Sequence, residues 1–209
     1  VDYIAVDTIT EDILTGIRIQ KLGYRCFATS EVLAQGQSPI TIKSLIKQRE
    51  RWGRGCVDTF RQEPILFSKE LSFPQKASYL ASYVFWWNYL RRFIYITAPI
   101  ASVLFNLTVL QSNTVWVALM FWLPYYLLFN RSLRAMSGDL SNQHWSNVAD
   151  TVLFPYMIGP IVAEQMGKKQ KKFVITEKKV EGNRARETFV FGLPHVVFLV
   201  GAVLSIITI

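Results

Sequence analysis

The stretch QRERW at residues 48–52 determines the expected fold of this chain. It lies in a segment predicted to be helical. Because a helix turns about 100° per residue, Gln48, Arg51 and Trp52 share one face. That face presents an amide, a planar guanidinium group and a large indole ring. An amide and a guanidinium group suit a diphosphate, whereas an indole suits the apolar face of a sugar ring.

A second motif, Thr10-Glu11-Asp12, precedes it at the start of another predicted helix. Thr10 is a suitable N-cap, and Glu11 and Asp12 fall in the first turn, where the helix dipole favours negative charge. An ionised carboxylate can act as a general base toward an attacking hydroxyl group. Taken by itself, the first motif is explained by helix capping, and QRERW is explained by an ordinary surface helix. The two in this order, ahead of apolar segments, favour sugar transfer at a membrane.

The secondary structure expected around these motifs combines α and β elements. Gly23 is predicted to end the first helix, and residues 24–28 are predicted to form a short strand. Ser38 and Pro39 are predicted to begin the helix that carries QRERW, which should run to roughly Phe60. We therefore assign residues 1–70 to the end of an α/β catalytic domain.

The rest of the chain is apolar enough to enter a membrane. Hydrophobic residues make up 51% of the sequence, and the mean hydropathy is +0.22. Residues 93–130 contain no charged residue and no histidine, and residues 188–209 contain no charged residue. Since a span needs about 20 apolar residues, these runs hold about three transmembrane helices. We expect an interfacial helix and two spans in residues 71–130, and a further, truncated span in residues 188–209.

Residues 131–187 are expected to lie on the cytoplasmic side of the membrane. Arg131, Arg134 and the lysines of residues 168–172 contribute much of the net charge of +8, and positive charge flanking spans marks the cytoplasmic face. Residues 148–164 are apolar but interrupted by proline and glycine, which predicts an interfacial helix, with a re-entrant segment as the alternative. No basic patch interleaved with aromatic residues supports nucleic-acid binding.

The two motifs resemble the T-E-D and Q-x-x-R-W motifs of processive family 2 glycosyltransferases, which include cellulose, hyaluronan and chitin synthases. A third stretch, residues 173–176 (FVIT), resembles the F-x-V-T gating loop of bacterial cellulose synthase catalytic subunits, with Ile175 in place of valine. Residues 71–75 and 85–99 are similar to the segment that leads into the channel of those enzymes. The resemblance extends over essentially the whole chain.

The resemblance implies the C-terminal part of a GT-A domain followed by transmembrane helices, and it implies roles for individual residues. Asp12 would be the general base, and Glu11 would position the end of the growing chain. Gln48 and Arg51 would contact the diphosphate, and Trp52 would stack on the acceptor sugar. Other substrate-binding and channel residues would be Thr10, Phe173, Ile175 and Thr176, which act near the nucleotide, and Trp86 and Arg92, which line the translocation path.

The resemblance also implies the reaction and its partners. The protein would be an inverting, processive enzyme of the inner (plasma) membrane that extends a β-glucan from a UDP-sugar, with its catalytic side in the cytoplasm. It would use Mg²⁺ or Mn²⁺, with ligands expected in a missing N-terminal part, and accessory secretion subunits are conceivable partners. The alternatives are a hyaluronan, chitin or poly-N-acetylglucosamine type of synthase and a non-catalytic membrane scaffold.

Overall fold

A computed structural model describes residues 4–5, 8–27, 31, 33–107, 114–137, 143–169 and 184–208. Every regular element within these residues is helical. In chain order the helices are α1 (Glu11–Lys21), α2 (Ile42–Gln62), a short 3-10 turn (Ile65–Phe67), α3 (Phe73–Leu104), α4 (Thr114–Ser137), α5 (Gln143–Gln165) and α6 (Arg184–Ile207).

The strand predicted at residues 24–28 is not formed. Residues 24–27 have no regular structure, and residue 28 lies outside the described residues. A strand is stable only when a neighbour supplies the other half of its hydrogen bonds, and no described segment does so. The prediction was wrong for residues 24–27, and the α/β character expected of residues 1–70 is not shown.

Helix α2 begins later than predicted. Its first residue is Ile42 and its N-cap is Thr41, whose hydroxyl accepts a hydrogen bond from the Ser44 amide at 3.1 Å, while the Ser44 hydroxyl accepts one from the Thr41 amide at 3.2 Å. This reciprocal capping satisfies two amides at once, so it outcompetes the start predicted at Ser38 and Pro39. The helix ends at Gln62, two residues beyond the end predicted near Phe60.

Helix α1 matches its prediction at both ends. Thr10 is its N-cap, and Gly23, shortly after the last helical residue, has a φ of +89°. This left-handed conformation costs glycine little and ends a helix readily. Leu14 and Ile17 are buried, and Ile17 belongs to a small apolar core with Ile65 and Leu71.

The apolar helices α3 to α6 each contain at least one internal proline. Among the described residues, one helical segment, Arg186–Ile207, has both the length and the composition needed to cross a membrane. The three spans predicted from the sequence are therefore not shown as such. Many side chains of α4 are apolar and exposed, including Trp116, Phe121 and Leu128.

The chain divides into two compact units. The first unit comprises Val1–Arg91 and Leu153–Leu193, and the second comprises Arg92–Val152 and Pro194–Ile209. The first unit contains α1 and α2, and therefore both sequence motifs.

Candidate functional site

The two motifs are brought together where the start of α1 meets α2. Thr10 is 5% exposed and lies against Gly55, which is buried on α2 one helical turn after Trp52. A β-carbon at position 55 would lie less than 3.0 Å from the Oγ1, Cγ2 and Cβ atoms of Thr10. The T-E-D motif therefore sits directly on the backbone of the helix that carries QRERW.

The far end of α1 is attached to the far end of α2 by an ion-pair cluster. Arg18 Nε lies 3.3 Å from Glu63 Oε1, and Lys21 Nζ lies 2.5 Å from Glu63 Oε2. Thr10 contacts Gly55 near the start of α1, and Arg18 contacts Glu63 eight residues further along each chain segment. The two helices consequently run parallel.

This parallel packing fixes how far apart Asp12, the candidate base, and Trp52, the candidate sugar-stacking residue, lie along the helix axes. Asp12 follows Thr10 by two residues and Trp52 precedes Gly55 by three. At 1.5 Å per residue, the two side chains start about 7 Å apart along the helix axes. Glu11, Asp12 and Trp52 are all exposed, and Asp12 Oδ1 accepts a hydrogen bond from the Ile13 amide at 2.9 Å. An exposed carboxylate at this height is accessible to a hydroxyl group on a bound sugar.

The QRERW face of α2 carries a stacked ring. Trp52 is 39% exposed, and the guanidinium carbon of Arg49 lies 5.3 Å from the centre of its ring. A cation over an indole is attracted by the negative face of the ring and limits how the ring moves. Gln48 and Arg51 are half-buried on the same helix. The helix thus presents an amide, a guanidinium group and an aromatic ring whose motion Arg49 restrains.

Trp86 packs against α2 beside this face. A β-carbon at Gly53 would lie 2.8 Å from Cε3 of Trp86, so the indole packs directly against the helix backbone. Trp86 is buried and also hydrogen-bonds to the Cys56 thiol. Burial raises the pKa of Cys56 to about 11, and the hydrogen bond to Trp86 opposes this rise. The predicted role of Trp86 in a channel remains a prediction.

The second half of α2 holds the C-terminal end of α5. Arg54 Nε lies 2.8 Å from Glu164 Oε2, Arg54 Nη1 lies 3.2 Å from Glu50 Oε1, and Arg54 Nη2 donates to the Lys168 carbonyl at 2.7 Å. Burial lowers the pKa of Arg54, but the hydrogen bonds and charges of Glu164 and Glu50 outweigh it and raise the pKa above its ordinary value. The guanidinium group is therefore permanently charged.

Two further side chains of α2 extend this contact. Arg61 Nη1 donates to the Glu164 carbonyl at 2.9 Å, and Asp58 Oδ1 lies 3.0 Å from Lys169 Nζ. The last carbonyls of a helix lack intrahelical partners and carry partial negative charge, so guanidinium groups stabilise that end. Residues 54, 58 and 61 form one stripe of α2 that faces the end of α5.

Arg92 belongs to the second unit and is held by α5. Its Nη1 donates to Thr151 Oγ1 at 2.8 Å, its Nη2 donates to Asn147 Oδ1 at 3.2 Å, and Asp150 Oδ2 lies 3.9 Å from Nη2. Beside these contacts an open groove of about 300 Å³ is lined by His144, Asn147, Val148, Thr151 and Val152. The contacts give the guanidinium group two neutral acceptors and one carboxylate partner, and lining of a sugar path by Arg92 remains a prediction.

The remaining predicted site residues are not tested by the geometry. Phe173, Ile175 and Thr176 lie outside the described residues.

Within the part of the chain that is described, no group of three or more His, Cys, Asp or Glu side chains could hold a metal ion. The described residues therefore do not fit the divalent cation expected from the resemblance, and we assign no step to a metal.

Several residues of the site were missed by the sequence reasoning. Gly53 and Gly55 had a visible signal, since two glycines within four residues are unusual inside a helix. The spacing of Arg54, Asp58 and Arg61 also marks a charged stripe on one helix face. The partners of these three residues, Glu164 and Lys169, lie more than 100 residues away and could not have been identified from the sequence.

Comparison with known proteins gives a consistent result. The family described as glycosyl transferase family group 2 matches residues 1–130. The cellulose synthase catalytic subunit [UDP-forming] of Pseudomonas fluorescens (strain SBW25) is 27% identical over 175 residues, which are 84% of this chain and 24% of that protein. The cellulose synthase 1 catalytic subunit [UDP-forming] of Komagataeibacter xylinus is 23% identical over 196 residues, which are 94% of this chain and 26% of that protein. The chain thus spans about a quarter of the length of these relatives, and the resemblance inferred from the motifs is confirmed.

Proposed function

This chain belongs to glycosyl transferase family group 2, and from that premise we propose that it is part of an inverting, processive glycosyltransferase that extends a cellulose-like β-glucan from a UDP-sugar. The names of the relatives, which describe UDP-forming cellulose synthase subunits, support this choice of donor and product. The observation that carries the proposal is the contact of Thr10 with Gly55, which joins the T-E-D motif to the QRERW helix.

The proposed reaction is a single displacement. A hydroxyl oxygen of the acceptor sugar attacks the anomeric carbon of the donor while the bond from that carbon to the diphosphate oxygen breaks. Asp12 accepts the hydroxyl proton, and Glu11 positions the acceptor end. Gln48 and Arg51 donate hydrogen bonds to the departing UDP, because negative charge develops on its diphosphate. The nucleophile, leaving group and proton are then all accounted for.

Trp52 would hold the acceptor sugar in line with the donor. Stacking of a sugar on an indole depends on apolar contact more than on directed hydrogen bonds, so it tolerates the sliding that a processive enzyme needs. The Arg49 guanidinium group at 5.3 Å supports this role because it restrains the ring. Thr10 would contribute by fixing the position of the T-E-D motif along the axis of α2.

A membrane location is proposed for the apolar helices. The Arg186–Ile207 segment has the length and composition of a span, and exposed apolar side chains follow much of α4, as in Trp116 and Phe121. Internal prolines in long apolar helices are more frequent in membrane proteins than in soluble ones. These features support a multi-pass protein of the inner membrane with its catalytic side in the cytoplasm.

The remaining assignments are part of the same proposal. Phe173, Ile175 and Thr176 would contact the nucleotide, Trp86 and Arg92 would line the path of the product, and accessory secretion subunits would receive it. The divalent cation implied by the resemblance belongs to the same proposal, with its ligands outside the residues described above.

Activity measurements on the full-length enzyme in membranes test the proposal. UDP release and polymer formation are measured with UDP-glucose and, separately, with UDP-N-acetylglucosamine and UDP-glucuronic acid. We expect UDP-glucose to give a polymer that a β-1,4-glucanase digests. Asp12→Asn should lower the turnover rate about 10²- to 10⁴-fold, the usual contribution of a general base. Glu70→Gln, which makes the same change from carboxylate to amide at an exposed position outside the proposed site, should have no effect.

The outcomes separate the alternatives. Normal turnover in Asp12→Asn would show that the base is elsewhere. Polymer formed from an amino sugar donor and resistant to glucanase would assign the protein to the chitin or hyaluronan type. Absence of UDP release with every donor, from protein correctly inserted in the membrane, would favour the scaffold alternative.

A further inference from the structure

Gly55 is the point at which the backbone of α2 touches the side chain of Thr10. A β-carbon built on Gly55 would lie less than 3.0 Å from three atoms of that side chain, a separation that real β-carbons essentially never show. One of these three atoms is Cβ of Thr10, at 2.9 Å, so rotation of the Thr10 side chain alone cannot relieve the overlap. The observed packing of α1 on α2 thus requires that residue 55 have no side chain.

Helix formation alone does not explain this glycine. Glycine is a much poorer helix former than alanine, and position 55 lies in the interior of the 21-residue helix α2. Gly16 on α1 provides a contrast, since a β-carbon there would meet nothing within 4 Å. Replacing Gly16 by alanine should therefore be harmless, whereas the same change at Gly55 must move α1 or α2.

The direction of that movement follows from the second attachment of α1. Arg18 and Lys21 both hold Glu63 at the far end of the helix pair. A methyl group at position 55 would therefore separate the helices at the Thr10 end while the Glu63 end stays in place. Since apolar atoms pack best at about 3.5–4.0 Å, the Thr10 end must move by about 1 Å. Asp12, two residues beyond Thr10, moves with it.

We propose that Gly55 is a positioning residue for sugar transfer, because it sets the distance between Asp12 on α1 and the Gln48, Arg51 and Trp52 face of α2. This inference rests on the function proposed above. A misplacement of about 1 Å in a catalytic group can cost about 100-fold in rate. The donor contacts of Gln48 and Arg51 lie on α2 itself and stay together, so donor binding should change little.

The test uses the full-length enzyme in membranes. Gly55→Ala should lower kcat about 100-fold and change the KM for the UDP-sugar less than threefold. Gly16→Ala should leave both at the wild-type value. Adding Thr10→Gly to Gly55→Ala removes the atoms that the new methyl group meets, and should restore kcat to that of the single variant Thr10→Gly. That single variant is the reference, because Thr10 belongs to the T-E-D motif and its loss has a cost of its own.

Three results would overturn the inference. The first is wild-type kcat in Gly55→Ala, and the second is a loss that Thr10→Gly fails to restore although the protein inserts and unfolds like the wild type. The third is a rise in KM with unchanged kcat, which would place the effect on donor binding.

A thermal unfolding measurement separates failure of this inference from failure of the proposed function. If the wild type transfers no sugar, the contact is still testable through the apparent melting temperature. Gly55→Ala should then lower that temperature relative to Gly16→Ala, and Thr10→Gly should restore it. Unfolding curves that do not distinguish the two alanine variants would refute the contact itself.

Discussion

The ion pair between Arg54 and Glu164 should be the most sensitive electrostatic contact of the first unit. Glu164 is 1% exposed, and the Arg54 guanidinium group supplies its only described cationic partner within 4.0 Å. Arg54→Met keeps a long side chain but removes the charge. The variant would leave a carboxylate buried beside α2 with no cation to balance it.

The expected cost follows from this burial. Removing one member of a buried ion pair typically destabilises a protein by about 3–5 kcal/mol, because the remaining charge is left without solvent or partner. We therefore expect Arg54→Met to lose about 3–5 kcal/mol at pH 7.

The double variant Arg54→Met with Glu164→Met leaves no deeply buried charge unpaired, since the side chain of Glu50, the other carboxylate beside Arg54, is 30% exposed. Because apolar replacements of a buried pair are often neutral, it should come within about 1 kcal/mol of the wild type.

The assay is thermal unfolding of the full-length protein in detergent at pH 7, followed by tryptophan fluorescence. For a domain of this size, about 3 kcal/mol corresponds to a fall in melting temperature of about 10 °C. Arg18→Met is the matched control. The Arg18 side chain is 35% exposed and its partner Glu63 keeps Lys21, so its loss should cost less than about 1 kcal/mol.

Two observations would contradict this reasoning. If Arg54→Met is no less stable than Arg18→Met, the buried carboxylate does not depend on Arg54. If the double variant is as unstable as the sum of its single variants, the two residues do not interact energetically.

Two further predictions concern the thiols and the stacked arginine. Cys26 is exposed, whereas Cys56 is buried with a pKa of about 11, so maleimide at pH 7.5 should label Cys26 alone, and Cys26→Ser should abolish labelling as measured by mass spectrometry. Appreciable labelling of Cys56 below pH 9 would contradict its burial. Arg49→Gln removes the cation over Trp52 and should raise the KM for an acceptor oligosaccharide about two- to fivefold without changing the KM for the donor. An unchanged acceptor KM would show that Arg49 does not restrain the ring.

Local signals in the sequence predicted the helices of the site well. The N-cap at Thr10 and the stop at Gly23 depend on neighbouring residues, and both occur where they were predicted. Helix α2 ends at Gln62, two residues beyond the predicted end near Phe60. The start of α2 was misplaced because two caps competed. The reciprocal hydrogen bonds of Thr41 and Ser44 satisfy more amides than a start at Pro39 would.

Signals that depend on a distant partner were not predictable. The strand at residues 24–28 was expected from composition, but a strand requires a neighbour that no local pattern identifies. Gly55 looks like a defect in a helix until Thr10 is known to lie against it. Arg54 looks like a solvated charge until Glu164, 110 residues further along the chain, is known to be its partner.

These contacts divide α2 into two halves with different tasks. The first half presents Gln48, Arg51 and Trp52, whose chemistry the sequence made recognisable. The second half contains no side chain proposed to touch the substrate, yet Gly55 fixes its distance to α1 and Arg54 fixes its attachment to α5. Because a rigid helix transmits a displacement along its whole length, a methyl group at position 55 should impair turnover through misplacement alone. The geometry of this site therefore depends on residues chosen for their size and charge as much as on those chosen for their reactivity.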